Sequence, residues 1–313
     1  MVPPLLPVAP TYRVAAYITA YQDATALTAC ITALQAQSYA IGQILVVDNS
    51  PVPLLQSTDP EILIWHCPEN IGIAAGMTRG LAWAQTQNYD FLWTFDQDSV
   101  PAPDCLARLL ETYTQTVRPD YPIGMVAPAP RDARTGEIVQ ASQFLGDRFR
   151  GFTPPSETSP YECDVPITSG SLVWLGSLAQ VPPPNPELFI DGIDLDYGLR
   201  LRRAGFHNLI VPQATMVHRF GMPFTVQLGG RKKVFQRYSP LRYYYICRNQ
   251  TYLELLHSCG WYRVTCSLRR IKFLGLTLLK ILVFDAGERS SKIVACLLGT
   301  YHGFTGKLGK RWG

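Results

Sequence analysis

The pattern of apolar runs in this 313-residue sequence predicts an α/β fold with a mostly parallel central sheet. Short runs rich in valine, isoleucine and aromatic residues alternate with segments whose apolar residues recur at helical spacing. Several runs end in acidic residues, which suits the carboxyl edge of a parallel sheet, where α/β proteins bind ligands. Hydrophobic residues make up 47% of the chain and charged residues 17%, so the composition indicates a globular protein with a substantial core.

The first half of the chain supplies strands and helices in alternation, which implies right-handed crossovers between parallel strands. The helix after the first strand is indicated by Leu27, Cys30, Ile31 and Leu34. The predicted strands cover residues 13–20, 43–48, 62–66, 91–95 and 123–127, and further helices cover residues 72–87 and the segment containing Leu106, Leu109, Leu110 and Tyr113.

The second half is less regular. Residues 131–160 form a loop rich in Pro, Ser and Thr in this interpretation, and order returns at residues 169–174. A helix is predicted from about Asp194, and residues 262–284 are apolar with basic residues interspersed.

Charge divides the chain near residues 229–230. From Arg231 onward there are 16 Lys and Arg residues against three acids, whereas the preceding part holds 12 against 21. Such a change indicates a boundary and a different partner for the C-terminal part. The sequence therefore predicts a catalytic domain at residues 1–230 and a basic helical region at residues 231–313.

The eight cysteines are scattered and include no Cys-x-x-Cys pair, so reduced thiols are expected. Residues 1–7 lack the basic region and continuous apolar run of a signal peptide. We therefore expect a cytoplasmic protein, attached peripherally to the cytoplasmic face of the membrane if its basic region binds lipid.

The most informative motif is the pair Asp96 and Asp98, which follows the apolar run at residues 91–95. Two hard oxygen ligands at the end of a buried strand suit Mg²⁺ or Mn²⁺, and such a cation would hold a diphosphate. The alternative is an ordinary strand-to-turn junction, where Asp and Ser are common.

Two further segments are candidates for nucleotide binding. Asp48 ends the second strand, where its carboxylate is placed to bind a base or ribose, or simply to start a turn. Asn70 and Gly72 open a helix rich in small residues, which includes Arg79. Helix N-terminal amides favour anions, although a tight turn with close helix packing explains the same pattern.

A general base is expected among Asp191, Asp194 and Asp196, three acids at the start of a predicted helix. Acids also favour helix N-termini through the helix dipole alone. His218 follows a strand-like stretch and is a candidate for metal or diphosphate binding, although most lone histidines are structural.

Taken in order, these motifs resemble family 2 glycosyltransferases of the GT-A fold over roughly residues 12–250. The segments at residues 95–99 and 242–249 resemble the rhamnosyltransferase branch of that family. The motifs that carry the resemblance are Tyr21 after the first strand, Asp48-Asn49-Ser50, Asn70-x-Gly72, Asp96-Gln97-Asp98-Ser99, Asp194-x-Asp196 with Arg200, and His218.

The resemblance implies an inverting transferase that moves a sugar, L-rhamnose from dTDP-L-rhamnose in the first instance, onto a glycan or lipid-linked saccharide in cell-surface polysaccharide synthesis. It implies a base at Asp194, with Asp191 as the alternative because Ile193 replaces the usual glutamate. The other implied roles are donor binding by Tyr21, Asp48, Asn70, Gly72, Arg79 and Asp96, metal binding by Asp98, Asp96 and His218, and acceptor or diphosphate contacts by Trp174, Asp191, Asp196, Arg242 and Arg248.

Residues 262–284 interleave basic and apolar side chains, which is typical of a helix lying on an anionic membrane surface. A basic helical pair packed on the catalytic domain is the alternative. Nucleic acid is a third interpretation of this basic segment and a poor one, because the body is acidic and the sequence holds no recognised nucleic-acid-binding motif, so no nucleic-acid partner is expected. Two alternatives to a rhamnosyltransferase stay open, namely a transferase for a UDP-hexose or UDP-N-acetylhexosamine and a non-catalytic sugar-nucleotide or glycan-binding protein.

Overall fold

The computed structural model describes residues 11–155, 157–228, 231–285 and 287–312. The strands in these ranges are β1 (Val14–Ala20), β2 (Gln43–Asp48), β3 (Ile62–His66), β4 (Phe91–Asp96), β5 (Ser99–Pro101), β6 (Ile123–Asp132), β7 (Ser142–Phe144), β8 (Phe149–Gly151), β9 (Tyr161–Glu162), β10 (Leu172–Trp174), β11 (His207–His218), β12 (Met222–Leu228) and β13 (Arg231–Arg237).

The central sheet has the strand order β3-β2-β1-β4-β10-β6-β11-β5, with β9 paired to β11. The first four strands run parallel, as do β6 and β11, whereas β10 lies antiparallel between β4 and β6. The predicted α/β class with a mostly parallel sheet is therefore confirmed. Because the strand order reverses beside β1, a ligand is expected at the carboxyl ends of β1 and β4.

Helices cover both faces of this sheet, and those predicted in the first half of the chain are present. Trp93 and Phe95 of β4 point to the face covered by the first and third helices, whereas Leu92 packs on the opposite face beneath the second. The helices are α1 (Ala24–Gln35), α2 (Gly72–Thr86), α3 (Cys105–Thr116), α4 (Ile193–Arg203), α5 (Pro240–His257), α6 (Trp261–Phe284) and α7 (Arg289–Thr305).

The structure is more regular than predicted between residues 131 and 160, because β6 continues to Asp132 and β7 pairs with β8 in a short hairpin. The predicted charge boundary at residues 229–230 lies outside the described residues. Strands β12 and β13 on either side of it form an antiparallel hairpin. The basic region therefore begins with a strand, which the prediction of a purely helical region missed, and continues as three helices.

The three C-terminal helices pack tightly on one another. Gly299 and Gly303 of α7 face the backbone of α5, where a Cβ would overlap the carbonyl oxygens of Tyr244 and Arg248. Helix α5 in turn contacts the body, because the Asn249 amide donates hydrogen bonds to three carbonyls of the segment before α4, those of Leu188, Ile190 and Asp191, the last at 2.7 Å. The C-terminal region thereby fixes a segment that borders the candidate site.

All eight cysteines are free thiols, and seven of them are buried. No helix within the described ranges combines the length and apolar character needed to cross a membrane.

Candidate active site

A cavity of about 310 Å³ opens where the carboxyl ends of β1, β2 and β4 meet, as the strand order predicts. Its walls come from the ends of these strands, the start of α2, the segment before α4, the end of β11 and the start of α5. The lining residues are Thr19, Ala20, Tyr21, Asn49, Asn70, Gly72, Ile73, Asp96, Gln97, Asp98, Phe189, Ile190, His218, Arg219, Phe220, Gly221, Leu241 and Arg242.

Asp96, Asp98 and His218 converge in this cavity, with one ligand atom from each lying within 4.8 Å of the others. His218 is distant in sequence, but antiparallel pairing of β11 with β5 places it opposite Ser99. Its Nδ1 lies 3.3 Å from Asp98 Oδ1. Two carboxylates and an imidazole are a donor set that suits a divalent cation such as Mn²⁺ or Mg²⁺. These residues therefore fit the predicted metal site.

A buried chain of hydroxyl groups orients the imidazole. Ser99 Oγ lies 2.6 Å from His218 Nδ1 and 2.6 Å from Ser169 Oγ, and Ser169 Oγ also accepts a hydrogen bond from the Asp96 backbone N–H. Such outer hydrogen bonds fix the orientation of metal-binding side chains. Sequence reasoning assigned no role to either serine, although Ser99 belongs to the motif at residues 96–99.

The local electrostatics favour a bound cation. Burial raises the pKa of Asp96, and the negative charge of Asp98 acts in the same direction, whereas His218 opposes the shift. Two carboxylates held this close together destabilise each other when both are ionised. A divalent cation stabilises both charges, and it is often the largest local charge in such a site.

Asp194 lies in the first turn of α4, where its carboxylate accepts a hydrogen bond from the Leu195 N–H at 2.9 Å. Burial raises its pKa to about 6, and the negative charges of Asp191 and Asp96 contribute to the same shift. A carboxylate with a raised pKa that is still ionised near neutral pH is suited to act as a general base.

Asp191 lies three residues earlier and is held differently. Its Oδ1 lies 3.2 Å from the Arg242 guanidinium, which lines the cavity and also lies over the Tyr238 ring. Burial raises the pKa of Asp191, whereas Arg242 lowers it. Because Asp191 is engaged in an ion pair, Asp194 is the better placed of the two acids to accept a proton.

The donor-binding predictions fall into two groups. Tyr21, Asn70 and Gly72 line the cavity. Gly72 has φ +80°, and a Cβ there would overlap the Phe189 ring, so glycine is required for this approach. The Tyr21 backbone is held by Gln97, which accepts from its N–H at 2.8 Å and donates to its carbonyl at 2.9 Å.

Asp48 and Arg79 are not among the lining residues. The Asp48 carboxylate is buried and accepts hydrogen bonds from Ser50 N and Leu54 N, so it stabilises the loop after β2. Arg79 lies exposed on α2. The neighbouring Asn49 lines the cavity instead and accepts a hydrogen bond from Ile71 N at 3.0 Å. Asn49 could have been predicted to line the cavity because it directly follows Asp48, the last residue of a strand that ends at the ligand edge of the sheet.

Three predicted acceptor or diphosphate contacts are corrected by the structure. Trp174 pairs with Phe91 at the start of β4, roughly 16 Å along the strand from Asp96, because β10 runs antiparallel. Asp196 is buried in contact with Arg200 Nε at 2.9 Å and His257 Nε2 at 3.5 Å.

Arg248, the third corrected residue, is fully buried, and its guanidinium donates to the carbonyls of Glu187, Leu188 and Gly309. This side chain therefore joins α5 to the segment before α4 and to the C-terminus, and it does not reach the cavity.

Replacing Arg248 with methionine is expected to lower the free energy of unfolding by about 3 kcal/mol or more, because the substitution removes all the hydrogen bonds that the buried guanidinium donates to these three carbonyls. Arg118→Ala serves as the control, since Arg118 lies in an exposed ion pair with Asp120; its effect is expected to stay within about 0.5 kcal/mol. Denaturant titration measures both values. Equal stability of the two variants would contradict a structural role for Arg248.

This chain is similar to known proteins in sequence. Residues 16–145 match the family model described as glycosyl transferase family 2. The dTDP-rhamnosyl transferase RfbF of Shigella flexneri is 26% identical over 227 residues, which cover 71% of this chain and 73% of that protein.

The fold is also similar to solved structures. The structure of GalNAc-T7 with UDP, GalNAc and Mn²⁺ superposes with a TM-score of 0.61 at 13% identity, covering 91% of this chain and 54% of that one, so this chain spans about half of its length. Staphylococcus aureus TarS 1–349 superposes with a TM-score of 0.54 at 11% identity, covering 93% of this chain and 80% of TarS.

The mostly parallel sheet and these superpositions show that the chain has the GT-A fold, and the cluster of Asp96, Asp98 and His218 lies where its strand order reverses. Residues 16–145 are thus similar to glycosyl transferase family 2, and a relative of the chain is a dTDP-rhamnosyl transferase, which supports a glycosyltransferase. The predicted resemblance is therefore confirmed.

Proposed function

We propose that this protein is an inverting rhamnosyltransferase that uses dTDP-L-rhamnose as donor and a glycan or lipid-linked saccharide as acceptor. The observation that carries the proposal is the convergence of Asp96, Asp98 and His218 in a cavity at the carboxyl ends of β1 and β4. The choice of rhamnose is supported by the 26% identical relative, a dTDP-rhamnosyl transferase.

The proposed reaction is a single displacement at the anomeric carbon. The acceptor oxygen forms a bond to that carbon as the bond to the diphosphate oxygen breaks, and the acceptor proton passes to the Asp194 carboxylate. Inversion follows from attack on the face opposite the leaving group. Asp96, Asp98 and His218 would hold Mg²⁺ or Mn²⁺, which neutralises charge on a nucleoside diphosphate when bound.

The remaining cavity residues would position the donor. Tyr21 is 47% exposed at the rim, which suits stacking on a nucleobase. Asn70 and Gly72 bring the start of α2 against the cavity, where backbone amides favour an anionic diphosphate. Asp48 contributes indirectly, because it holds the loop beside Asn49.

Release of nucleoside diphosphate from a panel of sugar nucleotides tests this proposal, with a bacterial glycolipid extract as the source of acceptor. We expect Mn²⁺- or Mg²⁺-dependent release from dTDP-rhamnose above all other donors. Preferential release from UDP-hexose or UDP-N-acetylhexosamine would overturn the donor assignment. Tight binding of dTDP-rhamnose without release in the presence of the extract would favour a sugar-nucleotide-binding protein instead.

The C-terminal helices supply the basis for a proposed location at the cytoplasmic face of a membrane. Along α6, exposed apolar side chains recur every three to four residues and therefore share one face; Leu268, Ile271 and Leu279 are 64%, 58% and 56% exposed. The opposite face of α6 packs on the protein through residues such as Cys266 and Ile281. An amphipathic helix whose apolar side is left exposed suits a lipid surface.

Helix α7 continues this arrangement, with Val294, Leu297 and Tyr301 about half exposed on one face. The basic side chains Arg263 and Lys272 are exposed beside the apolar residues of α6. Positive charge next to exposed apolar side chains complements anionic lipids. The two alternatives for this segment, a helix on a membrane surface and a helix packed on the catalytic domain, are therefore compatible. One face of α6 packs on the protein, and the other is exposed to a lipid surface.

The double substitution Leu268→Glu and Ile271→Glu is expected to weaken binding to anionic phospholipid vesicles by about tenfold or more, because it places two charges in the apolar face. Co-sedimentation measures the bound fraction, and Val52→Glu is the control because Val52 is 72% exposed in the loop between β2 and β3. Unchanged binding of the double variant, or no binding of the unmodified protein, would contradict the proposal.

A further inference from the structure

A second cavity of about 350 Å³ lies between the end of β13, α5 and α6. Its volume falls within the range of roughly 300–1,000 Å³ that is typical of small-molecule sites. None of the predicted donor or metal residues lines it. The lining residues are Asp191, Gln236, Tyr238, Tyr243, Ile246, Cys247, Gln250, Phe273, Thr277 and Lys280.

Three buried polar atoms in this lining have no hydrogen-bond partner among the described residues, namely Asp191 Oδ2, Gln236 Oε1 and Tyr243 OH. Tyr243 is only 2% exposed. Leaving such an atom unpaired costs about 1–3 kcal/mol, so native proteins keep few of them. Three such atoms in the lining of one cavity are available to pair with a polar ligand.

The types of these atoms restrict the chemistry of that ligand. A carboxylate oxygen and an amide oxygen accept hydrogen bonds, so the ligand must present several donors, as a polyhydroxylated molecule does. A fully ionised anion lacks those donors, and Lys280, the cation in this lining, already donates to the Gln236 carbonyl at 3.0 Å. The rings of Tyr238 and Phe273 add apolar walls of the kind that cover the C–H faces of a sugar.

The Asp191–Arg242 ion pair connects the two cavities. Arg242 lines the first cavity and Asp191 lines the second, and the two side chains meet at 3.2 Å. Asp191 also lies three residues before Asp194, just ahead of the start of α4. A ligand in the second cavity therefore lies next to the segment that carries the proposed base and beside the donor cavity.

We propose that the second cavity binds a sugar ring of the acceptor, with Tyr243, Gln236 and Asp191 as its hydrogen-bonding partners. This inference rests on the proposed transferase function, which supplies the reason for a saccharide beside the donor cavity. It assigns recognition of the acceptor to the C-terminal helices and the hairpin, outside the part of the chain that matches the family model.

Methyl α-L-rhamnopyranoside and methyl α-D-glucopyranoside serve as probes, with binding followed by saturation-transfer NMR. Tyr243→Phe removes a single unpartnered hydroxyl, so the variant is expected to remain folded while glycoside affinity falls about fivefold to tenfold. Tyr244→Phe is the matched control, because the neighbouring Tyr244 hydroxyl bonds His302 Nδ1 at 2.6 Å, outside the cavity. Thr277→Leu fills the cavity and is expected to abolish glycoside binding.

Binding of dTDP with Mn²⁺ is measured on the same proteins and is expected to be unchanged in all three variants. This measurement separates the proposed donor from the proposed acceptor cavity. If the unmodified protein binds the glycosides but does not bind dTDP, only the donor assignment is overturned. Failure of both glycosides to bind the unmodified protein would overturn the assignment of the second cavity. Binding by Tyr243→Phe and Thr277→Leu with the same affinity as the unmodified protein would overturn it too.

Discussion

Replacing Asp194 with asparagine is expected to lower the rate of sugar transfer by about 100- to 10,000-fold, the range that a positioned general base contributes. The amide has nearly the same shape as the carboxylate but cannot accept the acceptor proton. Donor binding should be retained, since Asp194 is not among the residues that line the donor cavity. Nucleoside diphosphate release measures the rate, and calorimetry with dTDP and Mn²⁺ measures binding.

The unmodified enzyme should lose transfer activity as the pH falls through about 6, because burial raises the pKa of Asp194 to about 6. Transfer requires the ionised carboxylate, so the rate rises with pH through this value and then levels off. The folded protein also binds this proton more tightly than the unfolded chain, whose ordinary value is 3.8. The contribution of Asp194 to stability is therefore full below pH 3.8 and is lost as the pH rises through about 6.

Asparagine cannot ionise, so at pH 8 the Asp194→Asn variant should be at least as stable as the unmodified protein despite its lost activity. Loss of rate without loss of stability distinguishes a functional acid from a structural one. Asp191→Asn is the comparison, and it should mainly raise the acceptor KM. Near-normal turnover by Asp194→Asn, together with collapse of turnover in Asp191→Asn, would transfer the role of base to Asp191.

Replacing Asp98 with asparagine is expected to reduce metal-dependent transfer by about 100-fold or more. A bound cation contributes several kcal/mol of charge stabilisation, and each 1.4 kcal/mol or so corresponds to tenfold in rate. Mn²⁺ binding, followed by electron paramagnetic resonance without any substrate, should weaken in parallel. Chelation by EDTA should reduce the activity of the unmodified enzyme to a similar level.

Asp104→Asn is the matched control for charge, because Asp104 is half-exposed in an ion pair with Arg108, at the start of α3. It should leave Mn²⁺ affinity and transfer unchanged. Transfer that resists both EDTA and the Asp98→Asn substitution would contradict a metal-assisted reaction at Asp96, Asp98 and His218.

The strands and helices of the first half of the chain could be predicted because each depends on local periodicity. The run at residues 91–95 alternates between two buried layers, and its acidic end could lie only at the ligand edge of a parallel sheet. The metal pair Asp96 and Asp98 followed from the same reasoning. Local sequence and the general topology of parallel sheets were therefore sufficient to predict the part of the site that lies at the end of β4.

Residues whose roles depend on distant pairing could not be predicted in this way. The antiparallel insertion of β10 reverses the direction of the chain and moves Trp174 to the far end of the sheet. Arg248 is buried only because α5 contacts both the segment before α4 and the C-terminus. The hydroxyl chain from Ser169 through Ser99 to His218 joins residues up to 119 positions apart.

The second cavity is a further case, because its walls combine Asp191, which precedes the charge boundary, with residues of β13, α5 and α6, which follow it. Residues such as Tyr243 and Thr277 appear in sequence as ordinary members of apolar helices. Only their shared cavity and the unpaired Tyr243 hydroxyl distinguish them from core residues.

Calorimetric titration of dTDP, UDP and GDP into the unmodified protein, with Mn²⁺ and then with EDTA, tests the central claim most directly because it needs no acceptor. The account predicts one site per chain, with Mn²⁺-dependent binding that is tightest for dTDP. Binding of none of the three nucleotides, or equal binding in EDTA, would contradict a metal-assisted nucleotide-sugar site at Asp96, Asp98 and His218.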